Sequence, residues 1–337
     1  MTSSWFRNIS QALQGIGANQ RIRRWVSASV LLCTVGFLVL MLLRSTDELR
    51  QYDDWSTYLD VCAKGFLVYP ISLITQALIW LMIIMRLGQM TGSWWDVEIY
   101  SYSYLMRHLP GMIWYLAGRA AMYRTRGIGA VVTLLASGVE WLLLLTTSVL
   151  LYGTLSLTGS GTLLIGILVL SALILATSLG LRQALLASSR LPVPGFVRRR
   201  LTALATVSVP SSADLALWLS LYVTSYFIGG GILVLLVHGV APEVTIGLVT
   251  AAKTWALTAG VGFLLTAIVP AGLGIRELTL AALLSPPLSR TGAIVVAILL
   301  RIVFVAGDLV WGGMLYAMAR FIRHHRHRKC SSSSNDA

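Results

Sequence analysis

The segment from Thr245 to Ser285, TIGLVTAAKTWALTAGVGFLLTAIVPAGLGIRELTLAALLS, decides what kind of molecule this is. Its two arms are apolar. Between them, Pro270-Ala271-Gly272-Leu273-Gly274-Ile275-Arg276-Glu277 places a proline, two glycines and two opposite charges. Proline removes a backbone donor and clashes with the preceding turn, so a helix breaks there. In hydrocarbon such a break is tolerated only where protein or water surrounds it. The segment reads as a hairpin whose two ends lie on one side of a membrane.

The flanks say which side. Downstream, Gly292–Ala319 is long enough to cross a hydrocarbon core of about 30 Å and runs into the basic stretch from Arg320 to Lys329. Short connections rich in Lys and Arg lie on the cytoplasmic side, so this tail is inside and the hairpin opens outside. Upstream, Ala213–Val237 crosses outward, and its Gly229-Gly230-Gly231 run permits close approach of a neighbouring helix. Before it, Leu191–Pro210 holds three prolines and Arg198-Arg199-Arg200, a cytoplasmic linker.

The first half is read the same way. Trp5, Ile9 and Leu13, flanked by Phe6 and Ile16, form the apolar face of a short interfacial helix, or else a frayed terminus. Val26–Leu43 is a membrane helix; it is too long for a signal-peptide core and ends in Arg44 without a small-residue cleavage site. The loop Arg44–Asp60 carries five acidic residues and suits the outer face; Phe66–Leu87 returns inward. Tyr100–Ala117 is broken at its centre by Arg107, His108, Pro110 and Gly111 and is followed by Arg119, Arg124 and Arg126. A hairpin dipping from the cytoplasm fits; a kinked surface helix is the alternative. Ile128–Tyr152 then crosses outward and Thr162–Leu181 inward.

Taken together, the expected fold is an all-α polytopic membrane protein of about six full transmembrane helices and two Pro/Gly-broken re-entrant hairpins. The divisions are 1–25, a cytoplasmic segment; 26–190, a first membrane half; 191–212, a linker; 213–319, a second half; and 320–337, a basic cytoplasmic tail. One half runs helix-in, hairpin, helix-out, and the other helix-out, hairpin, helix-in. That is the pattern of an inverted-topology repeat, an architecture that places a site near the bilayer midplane.

Composition agrees. The chain is 56% hydrophobic and 12% charged, against about 25% charged in ordinary soluble chains, and its mean hydropathy is +0.77. The net charge of +13 would raise nucleic acid in a soluble protein, but the basic residues cluster at helix ends, where they face anionic headgroups. Nucleic acid is therefore excluded as a partner. The three cysteines, Cys33, Cys62 and Cys330, suggest no disulfide framework. His324, His325 and His327 sit among Arg and Lys and read as lipid-attracting tail, so no metal site is assigned. No Walker A sequence is present, and no cofactor is expected.

Against this apolar background, ionisable residues at helix centres stand out. They are Glu140, Lys253, Arg301 and Asp308, with Arg276 and Glu277 on the second hairpin. Each costs about 2.5–3.5 kcal/mol to insert, and such residues face one another or a wet cavity. Arg301 and Asp308 are seven residues apart, on one helix face. The expectation is a cluster of Glu140, Arg276, Glu277, Arg301 and Asp308 around a central cavity. The competing account is that these are permanent ion pairs joining helices. Lys253 lies near the outer boundary and could equally snorkel.

Arg107-His108-Leu109-Pro110-Gly111-Met112-Ile113-Trp114, continuing to Gly118-Arg119, resembles the first signature of the lysylphosphatidylglycerol synthase transmembrane-domain (flippase-like) family. Glu140 resembles that family's acidic position in the next helix. Pro270 to Glu277 is similar to its Pro-Gly-Gly-Leu-Gly-Val-Arg-Glu element, with Ala271 where Gly is usual. The resemblance implies a bacterial or archaeal membrane protein that handles lipids. Synthase activity resides in a soluble domain of the fused relatives, and that domain is not expected after the basic tail.

The leading expectation is a lipid translocator of the plasma (inner) membrane, with both termini cytoplasmic. Its cargo would be a phospholipid or polyprenyl-phosphate-linked lipid, and its partners membrane lipids of the anionic kind. Arg119 at the cytoplasmic mouth and Arg276 at the outer hairpin are the phosphate candidates, since the planar guanidinium fork matches phosphate. Glu140 and Asp308 would balance charge. The alternative is a membrane enzyme or accessory subunit for glycosyl or aminoacyl lipid modification, although no catalytic constellation is evident. A third role is a scaffold contacting a membrane glycosyltransferase, or a homo-oligomer, through Gly-rich faces.

Overall fold

The structure is a computed structural model, and it describes residues 55–89, 91–106, 113–157, 163–188, 208–266 and 275–333. The expected Val26–Leu43 helix and interfacial segment, most of the linker, and the breakers Pro110, Gly111, Pro270, Gly272 and Gly274 lie outside these residues.

Among the described residues there are nine helices and no strand. In chain order they are α1 (Trp55–Gly88), α2 (Trp94–Met106), α3 (Ile113–Arg124), α4 (Ala130–Leu157), α5 (Leu163–Ser188), α6 (Ser212–Val240), α7 (Leu248–Thr266), α8 (Ile275–Leu284) and α9 (Arg290–Ser333). Five of them (α1, α4, α6, α7 and α9) are long and apolar enough to cross a membrane. Large apolar side chains also lie exposed on their outer faces, among them Leu67, Ile71, Leu78, Val149 and Leu217. A helix that is apolar all round is suited to a lipid surround, and five such helices are compatible with a multi-pass membrane protein.

The expected helices appear with displaced ends. The helix expected from Phe66 begins at Trp55, and the last one continues from Arg290 to Ser333. α5, of 26 residues, contains the apolar stretch Leu168–Gly180. The two broken segments differ from each other. α2 and α3, of 13 and 12 residues, reach about 20 Å each, short of a bilayer core. In the second pair α7 has 19 residues and α8 only 10. α7 is thus of crossing length and α8 is not.

Local chemistry places the helices. At the start of α6, Ser211 accepts a hydrogen bond from the Asp214 backbone N at 3.1 Å, and Asp214 accepts from the Ser211 N at 2.7 Å. This capping box satisfies two otherwise orphaned donors. Arg86, at the end of α1, pairs with the same Asp214 at 3.0 Å and ties the two helix ends together. α6 is the central helix: it packs on α1, α4, α5, α7 and α9. Its glycine run acts as expected, though unevenly. A Cβ on Gly230 would lie 2.6 Å from the Ala252 Cα, and one on Gly229 would overlap the Trp255 indole, whereas Gly231 meets only Leu248, at 3.9 Å. The first two glycines bring α7 onto α6 and let Trp255 reach inward.

A tyrosine-lined cavity between the helices

Two helix faces form the floor of the site. On α1, Tyr69, Ser72 and Gln76 are three and four residues apart, so they share one face. On α6, Tyr222, Ser225 and Gly229 repeat that spacing. Near the middle of both helices the faces meet: Ser72 Oγ and Ser225 Oγ are 2.8 Å apart. Gln76 donates to Ser72 at 3.1 Å and accepts from the Tyr104 hydroxyl at 3.3 Å.

Above this floor is a cavity of about 140 Å³, walled by Tyr100 and Tyr104 of α2, Tyr115 of α3, Glu140 and Trp141 of α4, Trp255 and Phe263 of α7, Arg276 of α8, and Arg301 and Phe304 of α9. One water needs roughly 10–15 Å³ by this kind of measure, so the space holds on the order of ten waters or a ring-sized group. Glu140, Arg276 and Arg301 come from distant parts of the chain and line one space.

The charges behind the wall are organised in two buried pairs. Arg119 Nη1 donates to Glu140 Oε2 at 2.5 Å; the side chains are 0% and 6% exposed. Arg119 Nε also donates to Ser103 Oγ at 2.9 Å, and its guanidinium carbon lies 3.7 Å from the Trp80 ring centre and 4.3 Å from that of Tyr115. Its Nη2 has no hydrogen-bond partner among the described residues and takes its stabilisation from these rings, a cation–π arrangement. The Tyr115 hydroxyl donates to Glu140 at 2.7 Å, again on Oε2. Glu140 Oε1 is thus the oxygen left to the cavity. The second pair joins Arg301 Nη1 to Glu277 Oε1 at 3.1 Å, with exposures of 9% and 3%.

Of the expected cluster, Glu140, Arg276 and Arg301 line the cavity, and Glu277 sits behind it as the partner of Arg301. Asp308 accepts from the Tyr69 hydroxyl at 2.6 Å, so it reaches the cavity through Tyr69 while Arg301 turns to Glu277. Arg119, expected as a phosphate ligand, does not line the cavity. It is fully buried and committed to Glu140, because a buried arginine is drawn to the nearest carboxylate and aromatic faces. Arg276 stacks over Trp255 at 4.4 Å on the cavity wall. Lys253 is half-buried in α7 and does not line the cavity.

The tyrosines went unread in the sequence. Their signal was available: Tyr69-x-x-Ser72 and Tyr222-x-x-Ser225 place the same pair at the centres of two apolar helices, far from the interfacial belt where membrane tyrosines usually sit. No protein-family model matches the chain, and no curated protein matches it.

Proposed function

We propose that this chain is a lipid translocator, moving a phospholipid or polyprenyl-phosphate-linked lipid between leaflets through the cavity between its two halves. The observation that carries the reading is the meeting of Glu140 from the first half with Arg276 and Arg301 from the second around one polar space in an otherwise apolar bundle. Intramembrane charges mark pathways for polar cargo. Arg276 and Arg301 are the phosphate ligands in this scheme, Arg276 held against Trp255 and Arg301 against Glu277. Glu140 supplies an acceptor on the opposite wall. The acyl chains stay in lipid while the headgroup passes.

Support for alternating access comes from the packing. Exchanging α1, α2, α3 and α4 with α6, α7, α8 and α9 maps every helix pairing within one half onto a pairing in the other. It also maps α1 on α9 onto α6 on α4, and α2 on α9 onto α7 on α4. The ion pairs follow the same exchange with reversed polarity: arginine on α3 and glutamate on α4 correspond to glutamate on α8 and arginine on α9. Ser72 and Ser225 sit where the exchange axis would pass. Taken as an inverted repeat, this arrangement would support two equivalent states around a fixed site. In this reading both termini are cytoplasmic, and the resemblance to the flippase-like family supplies the lipid cargo.

The test is movement of fluorescent phospholipids in proteoliposomes containing the purified chain. Wild type should exchange lipid across leaflets, and Arg276→Gln should slow exchange at least about tenfold, the loss of one charge-assisted contact, while remaining folded. Folded protein that moves no headgroup refutes transport.

A further inference from the structure

Which headgroup fits rests on this same cavity. The wall around Glu140 carries two hydroxyls that no described residue uses. Tyr100 and Tyr222 are 2% and 3% exposed and line the cavity, yet neither hydroxyl makes a hydrogen bond to a described residue. Both hydroxyls open onto the cavity, so they are left to the polar group that occupies it. Glu140 Oε1 faces the same space, since both of the residue's protein hydrogen bonds fall on Oε2. Ser225 and Gln76 add polar groups below.

The charge balance narrows the class. Glu140 is already neutralised by Arg119 at 2.5 Å, so an ammonium group would meet a compensated pair and the nearby guanidinium. A neutral hydroxyl meets neither penalty: it donates to Oε1 and accepts from the tyrosines. Trp141, Trp255, Phe263 and Phe304 provide flat apolar faces around this polar set, the combination that suits a ring with hydroxyls at its rim and C–H groups on its faces. The cavity of about 140 Å³ is close to the roughly 150 Å³ known to admit a six-membered ring.

We propose that the cavity selects a glycosyl headgroup joined through a phosphodiester, with the sugar between Tyr100, Tyr222 and Glu140 and the phosphate toward Arg276 and Arg301. The probes are three short-chain prenyl phosphodiesters of one prenyl length, carrying methyl, glucosyl or ethanolamine groups. Their binding to the purified full chain in detergent is followed by tryptophan fluorescence, since Trp141 and Trp255 line the cavity.

The glucosyl diester should bind about tenfold tighter than the methyl diester, the return on two to three net hydrogen bonds. Tyr100→Phe with Tyr222→Phe should bring the two within about twofold by weakening the glucosyl diester. If the double variant fails to fold, each single substitution should reduce the preference about threefold. Equal wild-type affinities, a preference that survives the tyrosine changes, tightest binding of the ethanolamine diester, or no binding at all would each overturn the proposal. Lipid exchange without sugar preference refutes this inference alone; sugar preference without exchange refutes transport alone.

Discussion

Glu140→Gln isolates the energetics of the first buried pair. The substitution keeps the shape of the side chain and leaves a carbonyl oxygen that can still accept from Arg119 and Tyr115. What disappears is the charge that compensates a guanidinium with 0% exposure. The remaining contacts of Arg119 are Ser103 at 2.9 Å, Ser137 at 3.4 Å and the aromatic faces, all neutral. Polar contacts between membrane helices average about 0.6 kcal/mol, because the unfolded chain in lipid finds substitute partners. Breaking a buried pair so that one charge stays behind costs about 3–5 kcal/mol. The second figure governs here, since the Arg119 side chain is fully buried. The loss should be about 3 kcal/mol, or roughly 150-fold in the folding equilibrium. Arg119→Gln should cost a similar amount, and the double variant should recover about 2 kcal/mol of the summed losses. Denaturing-detergent titration in mixed micelles, followed by tryptophan fluorescence, measures all four proteins. If both single losses fall below about 1 kcal/mol, or the double equals their sum, the pair is solvated and the buried-charge argument is wrong.

Arg301→Gln leaves Glu277 buried without its 3.1 Å partner and should destabilise by about 3 kcal/mol, with Arg301→Gln/Glu277→Gln largely restored in the same titration; additive losses would refute the coupling. Gly230→Val puts side-chain atoms against the Ala252 backbone and should abolish the monodisperse peak in size-exclusion chromatography, whereas Gly231→Ala, with only Leu248 at 3.9 Å, should leave it intact. Ser72→Cys with Ser225→Cys should crosslink under mild oxidant in membranes, as the hydroxyls are 2.8 Å apart, and an unshifted, fully alkylatable pair would contradict the α1–α6 contact. Tyr69→Phe removes the 2.6 Å bond to Asp308 and should lower stability by about 1–3 kcal/mol, read as a drop in thermal midpoint; an unchanged midpoint would show that Asp308 has an adequate substitute.

Apolar runs were enough to recognise an all-helical chain with several helices long and apolar enough to cross a membrane, and to place α1, α4, α6 and α9, because bilayer thickness and lipid solvation act on each segment separately. The residues too polar for lipid were equally visible, since the cost of burying them falls on each one alone. Who pairs with whom was not legible. Arg119 to Glu140, Glu277 to Arg301 and Tyr69 to Asp308 depend on crossings between helices far apart in the chain, and every arginine carries the same charge to every carboxylate. The tyrosine lining stayed hidden for a related reason: an aromatic side chain in an apolar helix serves lipid, core or cavity equally well until its neighbours are fixed. Only the tertiary arrangement, set by the glycine contact of α6 with α7 and the serine contact of α6 with α1, turned those side chains inward and left a space between them.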